Sequence, residues 1–294
     1  MQTLSYTVGA AEDGKKLKHV LRGELQLSST LLKTLKWREG AIRLNGEAVR
    51  VDAIVHADDA ITVTIDEREM REDDVKPIDL PLDIVYEDDC LLVLNKPANL
   101  AMHPKSTDLA APHLAGALVH YLGEGAVPHF VSRLDKGTSG LLIAAKSGYV
   151  PELLRRALHS DALRREYLAL AIGEVTPKHG VIDRPIARDE TSLVKRCCRE
   201  DGLPSLTEYE VLSVHDGLSL VHLTPQTGRT HQLRVHMASI GHPLLGDWLY
   251  GEEAPSLIAR PALHSAFLHF THPLTRDELS FTAPLPEDMA KFTK

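Results

Sequence analysis

The sequence is poor in the features that mark several common classes of protein. It holds three cysteines in 294 residues, Cys90, Cys197 and Cys198. None forms a CxxC pair, so neither a disulfide framework nor a thiol redox motif is expected. No apolar run approaches the length of a membrane span, and Met1 to Ala10 lacks the basic start and apolar core of a signal peptide. The expectation is a cytoplasmic protein without membrane contact. Sixteen histidines invite a metal reading, yet none falls in HExxH or joins a cysteine pair, and no metal is expected. Reading Thr230 to Val235 as a strand also puts His231 and His236 on opposite faces. There is no GxxxxGK[ST] phosphate loop. Gly137-Thr-Ser-Gly140 is no GxSxG elbow, because Thr138 stands directly beside Ser139. Ser139 reads instead as a turn residue bonding its own backbone, and a serine hydrolase is set aside. No internal repeat is visible. A net charge of −8 excludes a protein coated in positive potential, but not a local nucleic-acid surface.

What is present is ordinary in amount and uneven in arrangement. Apolar residues make up 43% and charged residues 25%, which suits one large folded domain with a small one beside it. Between Gly14 and Val51 lie Lys15, Lys16, Lys18, Arg22, Lys33, Lys36, Arg38, Arg43 and Arg50 against three glutamates. From Asp52 to Asp89 acidic residues dominate. Lys15 to Arg22 fits a short helix. Ser28-Ser29 caps a second helix with Leu31, Leu32 and Leu35 on one face. Ile42 to Val49 reads as a hairpin around Asn45-Gly46, and Ile61 to Ile65 as a third strand. Asp66 to Pro77 is polar and reads as a linker. The division expected is 1–66, a linker at 67–79, and 80–294.

The larger part reads as α+β. Ile84 to Leu94 is a hairpin with an acidic turn. Strands are expected at Leu141–Ala145, Tyr167–Ile172, Leu206–Val214, Ser219–Thr224, Thr230–Val235 and Leu279–Thr282. Helices are expected at His113–Tyr121, Pro151–His159 and Gln232–Ile240, the last competing with a strand over its first residues.

One stretch concentrates chemistry. In Arg133-Leu-Asp135-Lys-Gly-Thr-Ser-Gly140 a carboxylate sits between two basic side chains, just before the apolar run Leu141 to Ala145. A charge at the mouth of a buried strand is costly without a partner or a task. A turn aspartate in a structural ion pair is the plain reading of Asp135 alone. Tyr167 alternates with Ala169 along a strand, which alone would make it core. Gly228 permits a tight turn that presents Arg229, and Arg229 and Arg234 carry rigid forks suited to a carboxylate or phosphate.

Together these segments resemble the RluA-type family of RNA pseudouridine synthases, in the branch similar to RluD. The resemblance runs from about Asp83 to Met289 through Val85-Tyr-Glu-Asp-Asp, Asn95-Lys-Pro97, Arg133-Leu-Asp135 with Thr138-Ser-Gly140, and Glu166-Tyr-Leu-Ala169. It continues through Thr227-Gly-Arg-Thr-His-Gln-Leu-Arg-Val-His236, His242-Pro-Leu-Leu-Gly-Asp247, Leu249-Tyr-Gly251, Arg260-Pro-Ala-Leu-His264 and His272-Pro-Leu274. Gly14 to Asp66 resembles the S-four-like RNA-binding domain, against the plain reading of a small α+β domain with solvated lysines.

The resemblance implies a pseudouridine synthase fold, a mixed and largely antiparallel sheet with flanking helices and a central cleft. It implies Asp135 as the essential carboxylate, Arg229 as its ion-pair partner, and Tyr167 against the target uracil, serving in proton transfer at C5. Arg133 would fill the gap left by the flipped base, and Lys33, Lys36 and Arg43 would contact RNA. No cofactor is implied, since the isomerisation moves no net electrons. Asp135 could attack the ribose carbon, attack uracil C6, or act as a base. RNA is the expected partner, with large-subunit rRNA the family's commonest target and tRNA the alternative, and a monomer is expected. A catalytically idle RNA-binding protein is the competing reading. Ser132 stands where the family usually has His, Arg165 where it has Lys, and Met102 where Val is more usual. The segment Lys105 to Pro112 lacks the common glycine-rich form. Altered RNA contacts are expected from these departures.

Overall fold

The structure, a computed structural model, describes residues 2–65, 75–104, 108, 111–123, 126–157 and 163–293. The first part is built from β1 (Gln2–Thr7), α1 (Leu17–Gly23), α2 (Ser29–Leu35), β2 (Ile42–Leu44), β3 (Glu47–Ala48) and β4 (Ala60–Ile65). The strands form one sheet in the order β1-β4-β2-β3. The Ser28 hydroxyl accepts from the Leu31 amide at 3.1 Å and so caps α2. Asn45 and Gly46 both take positive φ, 51° and 85°, as a two-residue hairpin loop requires. Leu17, Val20, Leu21, Leu32, Leu35, Ile61, Val63 and Ile65 form a core that also takes in Tyr149 of the second part, whose hydroxyl donates to the Leu25 carbonyl at 2.6 Å.

The second part is larger. It contains β5 (Ile84–Glu87), β6 (Leu91–Lys96), α3 (Leu114–Leu122), β7 (His129–Phe130), β8 (Ser139–Ala145), α4 (Tyr149–Ala157) and β9 (Leu163–Ile172). There follow β10 (His179–Asp183), β11 (Ile186–Arg188), β12 (Arg196–Cys198), β13 (Leu206–His215), β14 (Leu218–Pro225), α5 (Gln232–Ser239), β15 (Leu263–Thr271), β16 (Glu278–Thr282) and α6 (Glu287–Ala290). The main sheet runs β10-β13-β14-β9-β15-β8-β6-β5, with β16 on β15 and β7 on β8. The joint between β8 and β15 is parallel and the others are antiparallel. The fold is therefore α+β with a mixed, largely antiparallel sheet, as expected.

The apolar runs of β6 and β8 follow from burial on both faces. Leu92, Leu94, Leu142 and Ala144 face one core, shared with α3 and Tyr167. Leu91, Val93, Leu141, Ile143 and Ala145 face the other, under α4 and β16. A strand covered on both sides has no polar face to alternate with.

Several expectations are corrected. Thr230 to Val235 is no strand, because α5 begins at Gln232, and His231 stands at its N-cap with φ 58°. Ser139 does not bond its own turn. It lies in β8, and its Oγ is 2.9 Å from His264 Nδ1. That Ser–His pair is buried between β8 and β15 and does not line either cavity described below. Strands β1, β7, β10, β11, β12 and β15 were not expected. Of the linker, residues 66–74 lie outside the described residues. Val75 packs on the larger core, and the Ile78 amide donates to the Gly116 carbonyl at 3.0 Å.

Candidate active site

Asp135 ends a loop that enters the main sheet at its parallel joint. The loop is clamped from behind by two buried cations. Lys96, at the end of β6, is 1% exposed. It donates to the carbonyls of Pro97 at 2.8 Å, Leu100 at 3.0 Å and Lys136 at 3.3 Å. Burial and the nearby charge of Arg260 push this ammonium down to about 7, while Asp135 pulls it upward. Arg260 donates to the Gly137 carbonyl at 3.2 Å and is itself held by Asp288 at 2.7 Å. The two carbonyls directly after Asp135 are thus fixed, which restricts where its carboxylate can point.

Gly140 makes the joint possible. Its φ is 107°, and a Cβ there would meet the Ser265 carbonyl oxygen at 2.2 Å. A glycine is needed on both counts. Four residues upstream of β8, Asp135 then faces a cavity of about 770 Å³. The cavity is lined by, among others, Arg133, Arg165, Tyr167, Arg229, His231 and Arg234.

The ion-pair partner of Asp135 is Arg234, not Arg229. Arg234 Nη1 donates to Asp135 Oδ2 at 3.3 Å. Its Nε and Nη2 both donate to Asp247 at 2.7 Å, a bidentate pair with a wholly buried carboxylate. Burial opposes the charge of Arg234, but Asp247 and Asp135 outweigh it and hold the guanidinium above its ordinary value. The Tyr250 ring lies 5.1 Å from the same guanidinium. Helix geometry explains the difference from the sequence expectation. Residues 232–239 wind into α5, which turns Arg234 inward beside Asp135. Arg229 stays in the preceding turn, where its Nε donates to the Pro204 carbonyl at 3.2 Å.

Tyr167 lies where expected, on β9 and 7% exposed, with its ring against the cavity. Among the described residues its hydroxyl has no hydrogen-bond partner. Arg165, two residues earlier on the same strand face, lines the cavity too. Glu166 points away and binds Arg164 and His222, each at 2.7 Å. Arg133 is exposed at the mouth and forms no ion pair among the described residues. His231 adds a group the sequence did not single out. Its Nε2 is 3.9 Å from Asp135 Oδ2, and its Nδ1 is 2.9 Å from Tyr250 Oη. Burial lowers the His231 pKa, reinforced by Arg234 and opposed by Asp135. Burial also pushes Tyr250 up to about 12.

The basic residues of the first part are less uniform than their sequence suggests. Lys33 and Lys36 are exposed on and just beyond α2. Arg43 is occupied by the backbone, donating to Gly40 at 3.3 Å and Gly46 at 2.9 Å. Trp37, 82% exposed, carries the Lys36 ammonium 4.9 Å from its ring centre. In the sequence Trp37 stands between Lys36 and Arg38, an aromatic flanked by two cations.

Asp88, Cys90 and His272 lie close enough together to suggest a metal site. Asp88 and one ring nitrogen of His272 are already engaged. Asp88 accepts from the Cys90 and Leu91 amides at 2.7 and 2.9 Å and from Tyr86 Oη at 2.9 Å. His272 Nδ1 accepts from the Thr275 amide at 3.0 Å, which puts the ring proton on Nε2. That nitrogen faces Asp88 at 3.1 Å, with poor hydrogen-bond alignment. The bonds to Asp88 and to His272 Nδ1 hold the turns on either side of the cluster.

A carboxylate held by an arginine at the floor of a cleft, with a tyrosine face on its wall, fits an enzyme that handles a flat, polar ring. Comparison with known proteins agrees. The family model described as RNA pseudouridylate synthase matches residues 90–239. The uncharacterized RNA pseudouridine synthase YjbO of Bacillus subtilis (strain 168) is 38% identical, over 92% of this chain and 96% of that protein. A ribosomal large subunit pseudouridine synthase D of Vibrio parahaemolyticus is 36% identical, over 99% of this chain and 94% of that protein. The solved structure of human RNA pseudouridylate synthase domain containing 1 superposes with a TM-score of 0.58 at 30% identity, covering 73% of this chain and 86% of that one. The chain belongs to the RNA pseudouridine synthase family, of RluA type, and is an isomerase acting on RNA.

Proposed function

We propose that this enzyme isomerises uridine in large-subunit ribosomal RNA, with Asp135 as the essential carboxylate. The observation that carries the role of Asp135 is its placement. It lies at the floor of the cleft, fixed by Arg234 at 3.3 Å and faced by the Tyr167 wall. The rRNA target is supported by the Vibrio relative, a ribosomal large subunit pseudouridine synthase, which this chain matches over nearly its whole length.

In the reaction the N1–C1′ bond breaks, the base rotates, and C5 bonds to C1′. The proton leaves C5 and one returns to N1, so atoms and charge balance without a redox partner. A base within a stack is out of reach and has to be flipped, at a cost of about a few kcal/mol. Arg133 at the mouth is suited to fill the vacated place, and the Tyr167 face to receive the ring. Arg234 keeps a positive charge beside Asp135 while Asp247 keeps Arg234 from swinging into the cleft. Lys33 and Lys36 extend the RNA contact to the first part, which we read as S-four-like.

The test is pseudouridine mapping on transcribed large-subunit rRNA and on tRNA. Wild type should modify rRNA, and Asp135→Asn should lose the product while still binding RNA. Full activity in Asp135→Asn would remove that residue from the chemistry. Product on tRNA alone would move the substrate, and binding without product in wild type would favour the idle RNA-binding reading.

A further inference from the structure

A second cavity, of about 430 Å³, opens beside the first. The turn Gly228-Arg229-Thr230 forms part of the wall of both. Its other side is the β11–β12 hairpin, which pairs with itself apart from the main sheet. In that hairpin Arg188 and Arg196 are direct cross-strand partners, and both line the cavity with Arg229. Like charges opposite one another destabilise a strand pair. Three arginines therefore converge where a folded protein would not place them for stability alone.

None of the three is neutralised. Each donates to a backbone carbonyl: Arg188 to Leu193 at 2.8 Å, Arg196 to Lys195 at 3.3 Å, and Arg229 to Pro204 at 3.2 Å. None forms an ion pair among the described residues. The carboxylate lining the cavity, Asp201, is taken by Arg199, which binds both of its oxygens at 2.5 and 3.1 Å and also holds Glu190 at 2.8 Å. One hydrogen bond per guanidinium leaves most of its five N–H donors available, in the planar fork that matches phosphate oxygens.

We propose that this cavity is a phosphate subsite, in which Arg188, Arg196 and Arg229 grip the RNA backbone phosphate next to the isomerised uridine. The inference rests on the reading of the enzyme as an RNA uridine isomerase. The shared wall sets the spacing. An anion bound behind Arg229 is separated from the floor of the main cleft by one turn of chain, so it belongs to the neighbouring nucleotide. Arg229 then acts at the partition between the base and its backbone, which accounts for its position away from Asp135.

Affinity for transcribed large-subunit rRNA should be measured as salt is raised, for wild type, Arg188→Gln, Arg196→Gln and the double variant. Arg276→Gln, in the turn between β15 and β16, removes the same charge away from the cavity. We expect each single variant to weaken binding about tenfold, as loss of a charged hydrogen bond does. The double variant should lower the slope of log affinity against log salt by about 0.7 to 0.9, the release expected for one phosphate. Arg276→Gln should change neither, and Arg188→Lys should keep the slope while losing affinity. An unchanged slope in the double variant, or an equal change in Arg276→Gln, overturns the subsite. Pseudouridine formation by wild type is scored separately. If product forms and the slope is unchanged, the subsite falls and the activity stands. If no product forms yet the slope drops, the activity reading falls and the phosphate contact stands.

Discussion

Asp135 and its two neighbouring arginines show how far a residue can be read before its geometry is known. A carboxylate stranded beside a buried strand drew attention to Asp135, the family resemblance gave it a catalytic role, and it lines the cleft. Its partner was misassigned because Arg229 and Arg234 have the same chemistry and are five residues apart. Only the switch from turn to helix at Gln232 decides which one turns inward. Their substitutions should separate. Arg234→Lys keeps the charge but breaks the bidentate pair with Asp247, and a charged hydrogen bond is worth about 1.5 to 3 kcal/mol. Steady-state kinetics should therefore show kcat reduced roughly 10- to 100-fold. Arg229→Lys should instead raise KM with kcat nearly kept. Equal losses of kcat in both variants would mean that the ion pair seen here is not the one used in the reaction. Asp247 lay in the His242 to Asp247 motif, but nothing in its local sequence tells that it would be wholly buried against a cation.

At the scale of elements, legibility followed burial pattern. Strands covered on both faces announced themselves as apolar runs, as at Leu91 to Leu94 and Leu141 to Ala145. Strand β15 did not, because its buried positions include His264 and Ser265, and so neither alternation nor an apolar run marks it. Yet β15 supplies the parallel joint on which the Asp135 loop rests. Gly140→Ala tests that joint. The added methyl meets the Ser265 backbone and the residue must hold φ 107°, so thermal or urea unfolding should show a loss of about 3 kcal/mol or more. A near-neutral substitution would show that the joint can relax. In the first part, α2 was readable from its Ser28 cap and leucine spacing, and it carries Lys33. Lys33→Glu with Lys36→Glu should weaken RNA affinity and flatten its salt dependence while kcat at saturating RNA is kept. An unchanged slope would count against RNA contact on this helix.

For the molecule as a whole, buried histidines set the response to acid. His113 and His236 are fully buried or nearly so, and His264 is 2% exposed. Burial lowers the pKa of all three. Each has a task for its neutral ring, such as the cap that His113 Nδ1 gives the Gly116 amide at 2.8 Å. Below about pH 6.5, where free histidine titrates, the unfolded chain takes up more protons than the folded one. Stability is therefore full above that pH and declines as pH falls toward the lowered folded values. Melting temperatures measured from pH 7 downward should fall through this range, and a flat profile would contradict the burial of these rings. The ion pair at the floor of the cleft has a further consequence. Asp135 and Arg234 are 99 residues apart in the chain, and the parallel joint behind them links β8 to a strand that starts at residue 263. No nascent or truncated chain ending before β15 can hold the pair in place. Isomerase activity is thus a late reporter of folding, reached only after Ser139 of β8 has met His264 of β15, 125 residues away in the chain.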